Sequence, residues 1–314
     1  MLFDAGAAEK PEETAAFIAR YARQAAARDN LHVDYGVLSH YHVDHMGALV
    51  DVMARLPILT MIDRGADFLP PPDADAGYRF YRAAFRAQAI RVGRADQIVL
   101  LKDRAAFPTF AVRNVAANGD VWVPGTDRSE HVFPPLASLA KEDQPSENMC
   151  SIALRIRYGA FDFYTGGDLP GVPDAGAPEW QSVETPVAKA IGATDVQVVN
   201  HHGSIDPASA FFLTTLRSRV LILPSWSTTH PSQDALKRMM TARLYPGPRD
   251  IFATTMHPET KASIGARAGQ LTADHGHIVV RVAPGGATYE VFVLDNRDAA
   301  TPAVLSTHGP YRSQ

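Results

Sequence analysis

Residues 40 to 45 read His40-Tyr41-His42-Val43-Asp44-His45, which puts four side chains able to hold a hard or borderline cation within six positions. The chain has one cysteine, Cys150. An intramolecular disulfide and a thiolate metal cluster are therefore closed to it, and any bound metal has to rest on His, Asp or Glu. Further candidates come later: Asp168 after Gly166-Gly167, the pair His201-His202 ahead of Gly203-Ser204, and His230 ahead of Pro231. Singly, each has a plainer reading, a turn aspartate or a structural histidine. Each nevertheless follows an apolar, β-rich run, and strand ends on one rim of a sheet are where sites gather. Glycines before Asp168 would let the backbone approach such a site closely.

The elements that must position these residues follow from periodicity. Pro11 with Glu12 and Glu13 opens a helix whose face carries Phe17, Ile18, Tyr21 and Ala25. Residues 33–39 read as a buried strand ending at His40, and 47–56 as the helix after it. Residues 150–158 and 161–165 are two arms of a hairpin around Tyr158-Gly159-Ala160. Strands are expected at 195–200, 220–223, 251–256, 278–282 and 289–294, with helices at 183–191, 208–216 and 232–242. Two mixed sheets covered by helices fit this order. No linker divides the chain, so residues 1–295 read as one domain. Residues 296–314, with Pro302, Gly309 and Pro310, read as a loosely held tail.

Composition sets the outer limits. With 314 residues, 46% hydrophobic and 20% charged, the chain has ample material for a core. Its net charge of −4 lacks the positive field of a protein that coats nucleic acid or anionic lipid, so a nucleic-acid contact would be local. Arg64, Arg79, Arg82 and Arg86 offer a local phosphate patch, though the last three recur at helical spacing and a solvated helix face is the plainer reading. No apolar run reaches the length of a membrane span. The start, as written, has no basic region followed by an apolar stretch, which gives a cytoplasmic expectation. Trp122, Trp180 and Trp226 read as core or pocket aromatics, with Trp226 placed to line a cleft near His230. No oligomeric state follows from the sequence.

Asp4 in Leu2-Phe3-Asp4-Ala5-Gly6, the 40–45 motif, Asp168 and a late histidine occur in an order that resembles the metallo-β-lactamase fold superfamily. Asn148 and Ser151 ahead of a strand, Gly167-Asp168, His201-His202-Gly203-Ser204 and His230-Pro231 resemble the branch holding ComEC-type DNA-uptake hydrolase domains and phosphorylcholine esterases. The resemblance implies an α+β fold, a four-layer αββα sandwich, with two divalent cations, zinc or alternatively manganese. It implies that His40 and His42 hold one cation, Asp44 and His45 the other, and that Asp168 bridges them while His230 completes the second site. Family members usually supply another histidine before the bridging aspartate. Here the interval holds only His131, so one of His201 and His202 is expected to replace it at the first cation, His202 being preferred. Asp4 is expected to orient the metal-binding loop. Members also carry a hairpin ahead of the Asp4 strand; a start misplaced at Met1 would remove it, and with it any leader directing export.

The chemistry so implied is hydrolysis by a water shared between two cations, with Asp44, Asp168 and His201 nearest the reacting atoms. The nonligand histidine of the 201–202 pair would protonate the leaving oxygen, with Ser204 and Tyr41 as weaker substrate contacts. A phosphodiester is the favoured substrate. A lactone or carboxyl ester suits the same site, a noncatalytic metal- or ligand-binding descendant is the rival of another class, and iron would turn the reading towards oxygen chemistry.

Overall fold

The computed structural model describes residues 1–7, 9–71, 75–94, 97, 105–297 and 302–314. Three sheets occur among them. The first is wholly parallel: β1 (Leu2–Phe3), β2 (Val33–Val37), β3 (Ile58–Asp63) and β4 (Gln88–Ala89), in that order. The second contains β5 (Phe110–Ala117), β6 (Asp120–Trp122), β7 (Ser129–His131), β8 (Ala153–Tyr158), β9 (Phe161–Thr165), β10 (Val196–Val198), β11 (Val220–Leu223) and β12 (Asp250–Ala253). Its order is β12-β11-β10-β9-β8-β5-β6-β7, parallel from β9 to β12 and antiparallel elsewhere. The third is an antiparallel meander of β13 (His277–Val282), β14 (Thr288–Leu294) and β15 (Val304–Arg312).

Strand alternation builds the layers. On one face of the second sheet, Val112, Ile152 and Leu154 meet Val37 and Ile62 of the first sheet. Farther along the same face, Phe161, Val196, Val220 and Ile222 meet Tyr289, Val291 and Val293 of β14. The first and third sheets thus lie side by side over one broad sheet. Each fully buried aliphatic side chain in this seam contributes about 1.5–3 kcal/mol. Helices α1 (Pro11–Ala26), α2 (Val43–Met46), α3 (Leu49–Arg55) and α4 (Ala76–Ala84) accompany the first sheet, with Ala15, Ala19, Leu49, Val52, Tyr78 and Tyr81 buried in the outer core. On the far face of the second sheet lie α5 (Glu184–Ile191), α6 (Ala210–Leu216) and α7 (Gln233–Met240), with α8 (Pro258–Ile264) beyond. The order helix, sheet, sheet, helix is the four-layer αββα sandwich.

Pro11 occupies the first turn of α1 and Glu12 and Glu13 follow it, where the helix dipole favours negative charge. The tail differs from expectation. Residues 298–301 lie outside the described residues, but 304–312 form β15, paired along β14. Most of its side chains are exposed, so no apolar alternation announces it. The main-chain ladder, Tyr311 against Tyr289, and a Gln314 N–H donated to Asp195 Oδ1 hold it in place. No helix among the described residues is long and apolar enough to cross a membrane.

Candidate metal centre

Parallel pairing brings the chemistry together. β9, β10 and β11 are parallel neighbours, so the segments leaving their carboxyl ends, which carry Asp168, His201-His202 and His230, emerge on one rim. The end of β2 is tied to the same rim: Ile152 N donates to Ser39 O at 2.9 Å, and His201 N donates to Gly167 O at 3.0 Å. Gly167 has φ +54° and faces Ser39 so closely that a Cβ would sit 2.8 Å from the serine's own. A glycine is required there on both counts.

The side chains that could hold a metal form two sets sharing one carboxylate. His40, His42 and Asp168 present atoms within 4.8 Å of one another, and so do Asp44, His45, Asp168 and His202. Asp168 Oδ1 is 3.1 Å from His45 Nε2 and 3.5 Å from His202 Nε2, while Oδ2 faces His40 Nε2 at 3.8 Å. Asp44 Oδ2 lies 3.2 Å from His202 Nε2. His40 Nε2 and His42 Nδ1 stand 3.1 Å apart.

These residues fit a pair of cations. Nε2 of His45 and of His202 are buried without a properly directed hydrogen bond, despite the nearby carboxylates. Their other nitrogens are occupied: His45 Nδ1 donates to Asp4 Oδ2 at 2.8 Å, and His202 Nδ1 donates to the Pro224 carbonyl at 3.0 Å. Each ring therefore aims Nε2 inward, the arrangement expected of a metal-binding imidazole. Burial, with His45 alongside, holds His40 well below the usual histidine range, so it is neutral. Burial would raise Asp168, but His202 and His45 hold it well below the usual carboxylate range. Burial lowers His202, whereas Asp168 and Asp44 push it up to about 9, so a cation entering this set displaces a proton.

His202 thus stands with Asp44 and His45, not at the first set as expected. It packs against a neighbouring loop through Pro224, and that contact turns its ring towards the second set. His201 belongs to neither set. Its Nε2 is 3.7 Å from Asp168 Oδ2 and its Nδ1 is 2.7 Å from Asp206 Oδ1. Burial lowers it, but Asp206 and Asp168 more than offset this and raise its pKa. His230 also falls outside both sets, stacked on His202 at 5.1 Å with Trp226 edge-on to both rings. Burial and the neighbouring histidines push His230 down to about 4, leaving it neutral with Nδ1 unpartnered. A cleft of about 800 Å³ opens from Asp44, His45, Asp168 and His202 between the first and third sheets, lined by Phe3, Ile156, Phe163 and Trp226 among others.

Several expectations change. Arg64 is buried and bound to Glu147 through Nε and Nη2 (2.8 and 2.7 Å), so it belongs to no phosphate patch. Tyr41 is packed against Tyr78 beneath the Arg64 guanidinium and touches no substrate space. Arg79, Arg82 and Arg86 lie on the exposed side of α4 and just beyond it. His131 is an exposed partner of Asp120. The buried Cys150 thiol is pushed up to about 12 by burial.

Asp4 stands behind the 40–45 loop as expected, whereas Glu147 and Asp206, which brace neighbouring residues, carry no mark of their own in the sequence. Asp4 accepts from Ser39 N and Ser39 Oγ as well as His45. Glu147 accepts the Tyr41 N–H, pinning the backbone between His40 and His42. Asp206 holds His201. Glu147 precedes Asn148 and Asp206 follows Ser204, and adjacency to the motifs was the one available signal.

Residues 1–205 match the family model of the metallo-β-lactamase superfamily. No curated protein sequence matches the chain. Similar solved structures include a protein of Parabacteroides distasonis described provisionally as a metal-dependent hydrolase, 10% identical over 72% of this chain and 80% of that one, with a TM-score of 0.37. Two others are the SMB-1 metallo-β-lactamase bound to 2-mercaptoethanesulfonate (13% identity, 78% of this chain and 74% of that one, TM-score 0.33) and the Rm3 metallo-β-lactamase (13%, 85% and 80%, 0.33).

Proposed function

Because the chain belongs to the metallo-β-lactamase superfamily, we propose that it is a hydrolase working with two divalent cations, zinc or manganese, on a phosphodiester. The observation that carries the reading is Asp168, whose two oxygens face two separate ligand sets. His40 and His42 would hold one cation and Asp44, His45 and His202 the other, with Asp168 between them. His230 stands behind His202 as a further candidate ligand. Two such cations, when bound, bring the pKa of a shared water towards neutrality and stabilise charge developing on the substrate oxygen.

The remaining work falls to side chains. Asp4 and the Pro224 carbonyl fix the tautomers of His45 and His202, so neither ring has to reorient. Asp206 accepts from His201 Nδ1 and favours a proton on Nε2, from which His201 protonates the leaving oxygen. Asn148 faces that Nε2 at 3.2 Å. Its Oδ1 has no other partner, and with the amide turned over Oδ1 accepts the His201 Nε2–H. The phosphodiester choice is supported by the resemblance of Asn148, Gly167-Asp168 and the 201–204 segment to the branch of ComEC-type DNA-uptake hydrolase domains and phosphorylcholine esterases. The apolar wall of Phe3, Ile156, Phe163 and Trp226 favours a second reading, an ester or lactone with an apolar arm.

Turnover of bis(p-nitrophenyl) phosphate, a p-nitrophenyl ester and a lactone by the zinc- and manganese-loaded protein separates these readings. His201→Gln should lower phosphodiester turnover at least ~100-fold with the metal content kept. His202→Ala should lose metal itself. Metal binding without turnover of any of the three would point to the noncatalytic descendant, and a fully active His201→Gln would remove His201 as the proton donor.

A further inference from the structure

The segment between β10 and α6 holds an unusual backbone. His201 (φ 45°, ψ 42°) and His202 (φ 54°, ψ 15°) both lie in the left-handed region, Gly203 follows at φ 74°, and Ala208 has φ 60°. Left-handed non-glycine residues are disfavoured, and two in succession persist only where the surroundings over-determine them.

Directly beneath this turn is Glu184, the first residue of α5, with no exposed surface. Its Oε1 accepts the Asn200 side-chain N–H at 3.0 Å and the Ala208 N–H at 2.8 Å, and its Oε2 accepts the Ser209 N–H at 2.8 Å. Asn200 immediately precedes His201, and Tyr164 donates its hydroxyl proton to the other side of the same amide at 3.0 Å. One carboxylate therefore grips both ends of the 200–209 segment. Gly171 leaves the room for it, because a Cβ there would collide with the Glu184 carboxyl. A buried acid taken out of water is costly, and burial pushes this one up to about 7 despite its hydrogen bonds. Packing alone would be better served by an apolar residue of similar volume.

We propose that Glu184 is a positioning residue for the metal centre: by clamping Asn200 at one end and Ala208–Ser209 at the other, it keeps the His201-His202 turn in its left-handed form and so aims His202 Nε2 at Asp44 and Asp168. The proposal rests on the reading of His202 as a metal ligand. It identifies a determinant of metal affinity with no contact to either ligand set.

Zinc affinity, measured by competition with a chromogenic chelator, tests it in the wild type, Glu184→Gln, His202→Ala and the double variant. Glutamine keeps the size but turns an N–H against a backbone or Asn200 N–H, so E184Q should weaken zinc binding about tenfold. In the His202→Ala background the same change should have no further effect, because the clamp acts through that ring. An equal loss in both backgrounds, or wild-type affinity in E184Q, overturns the proposal. Should E184Q fail to fold, Asn200→Ala carries the test, since it severs the link to the turn and leaves both backbone bonds to Glu184; wild-type zinc affinity there refutes the clamp. Weak binding in His202→Ala with normal binding in E184Q removes this inference alone, whereas normal binding in His202→Ala removes the ligand reading and the inference with it.

Discussion

The two histidine-bearing segments reach Asp168 by opposite means. Residues 40–45 use ordinary backbone: β2 runs out at Val37, and one helical turn, Val43–Met46, sets Asp44 and His45 inward. Their support is polar and comes from distant chain, Asp4 behind His45 and the Arg64–Glu147 pair behind Tyr41. Residues 200–209 use a disfavoured backbone that bends the chain within one turn, and their support is the buried Glu184 clamp. A ligand cluster packed into one loop can rely on spacing. A pair of adjacent histidines, which would otherwise point apart, needs a special backbone to bring one ring near each oxygen of Asp168.

Removing the point where the segments meet should have the largest effect. Asp168→Ala leaves both ligand sets without their shared oxygen donor and should abolish turnover, lowering it at least ~1,000-fold. It should also strip most of the metal while circular dichroism stays that of the wild type. A fully active variant would contradict the bridging role.

Breaking the support of the first segment comes next. Glu147→Ala leaves the Arg64 guanidinium, whose side chain has no exposed surface, as an unpaired buried charge. That should cost about 3–5 kcal/mol of unfolding free energy, read from urea denaturation. A loss below about 1 kcal/mol would mean that Arg64 finds water or another acceptor, and the polar backing of the 40–45 loop would have to be reassigned.

The support of the second segment can be read by pH. The Glu184 carboxyl is raised from 4.5 to about 7, so the folded state binds more protons than the unfolded state between those values. Its contribution to stability is complete below pH 4.5 and is lost as pH rises through 7. At 1.36 kcal/mol per unit the raised value corresponds to about 3 kcal/mol. Between pH 4.5 and 7.5 the wild type should therefore lose about 3 kcal/mol more stability than E184Q, and parallel pH profiles would show that Glu184 does not titrate there.

The same contrast explains what could be read in the sequence. The 40–45 motif, Asp168 and the strands that deliver them depend on local residue types, and β8, β9, β11 and β14 fall within a few residues of where alternation places them. The side of the site each later histidine takes depends on the left-handed turn at 201–202, and nothing in the letters His201-His202 specifies a positive φ. Glu184 reads as an ordinary first-turn helix acid, because its bonds to Asn200, Ala208 and Ser209 exist only once α5 has packed against α6. Arg64 looked available for phosphate until Glu147, 83 positions away, closed on it. The β15 strand was missed since its order comes from the ladder with β14 and not from buried side chains.

The central claim, one carboxylate serving two cation sites, is tested most directly by counting metal in the purified protein by plasma mass spectrometry after loading with zinc or manganese and removal of the excess. Two ions per chain, falling to none or a small fraction in Asp168→Ala, is the predicted result. Two ions retained in that variant, or no metal bound by the wild type under either loading, would contradict it.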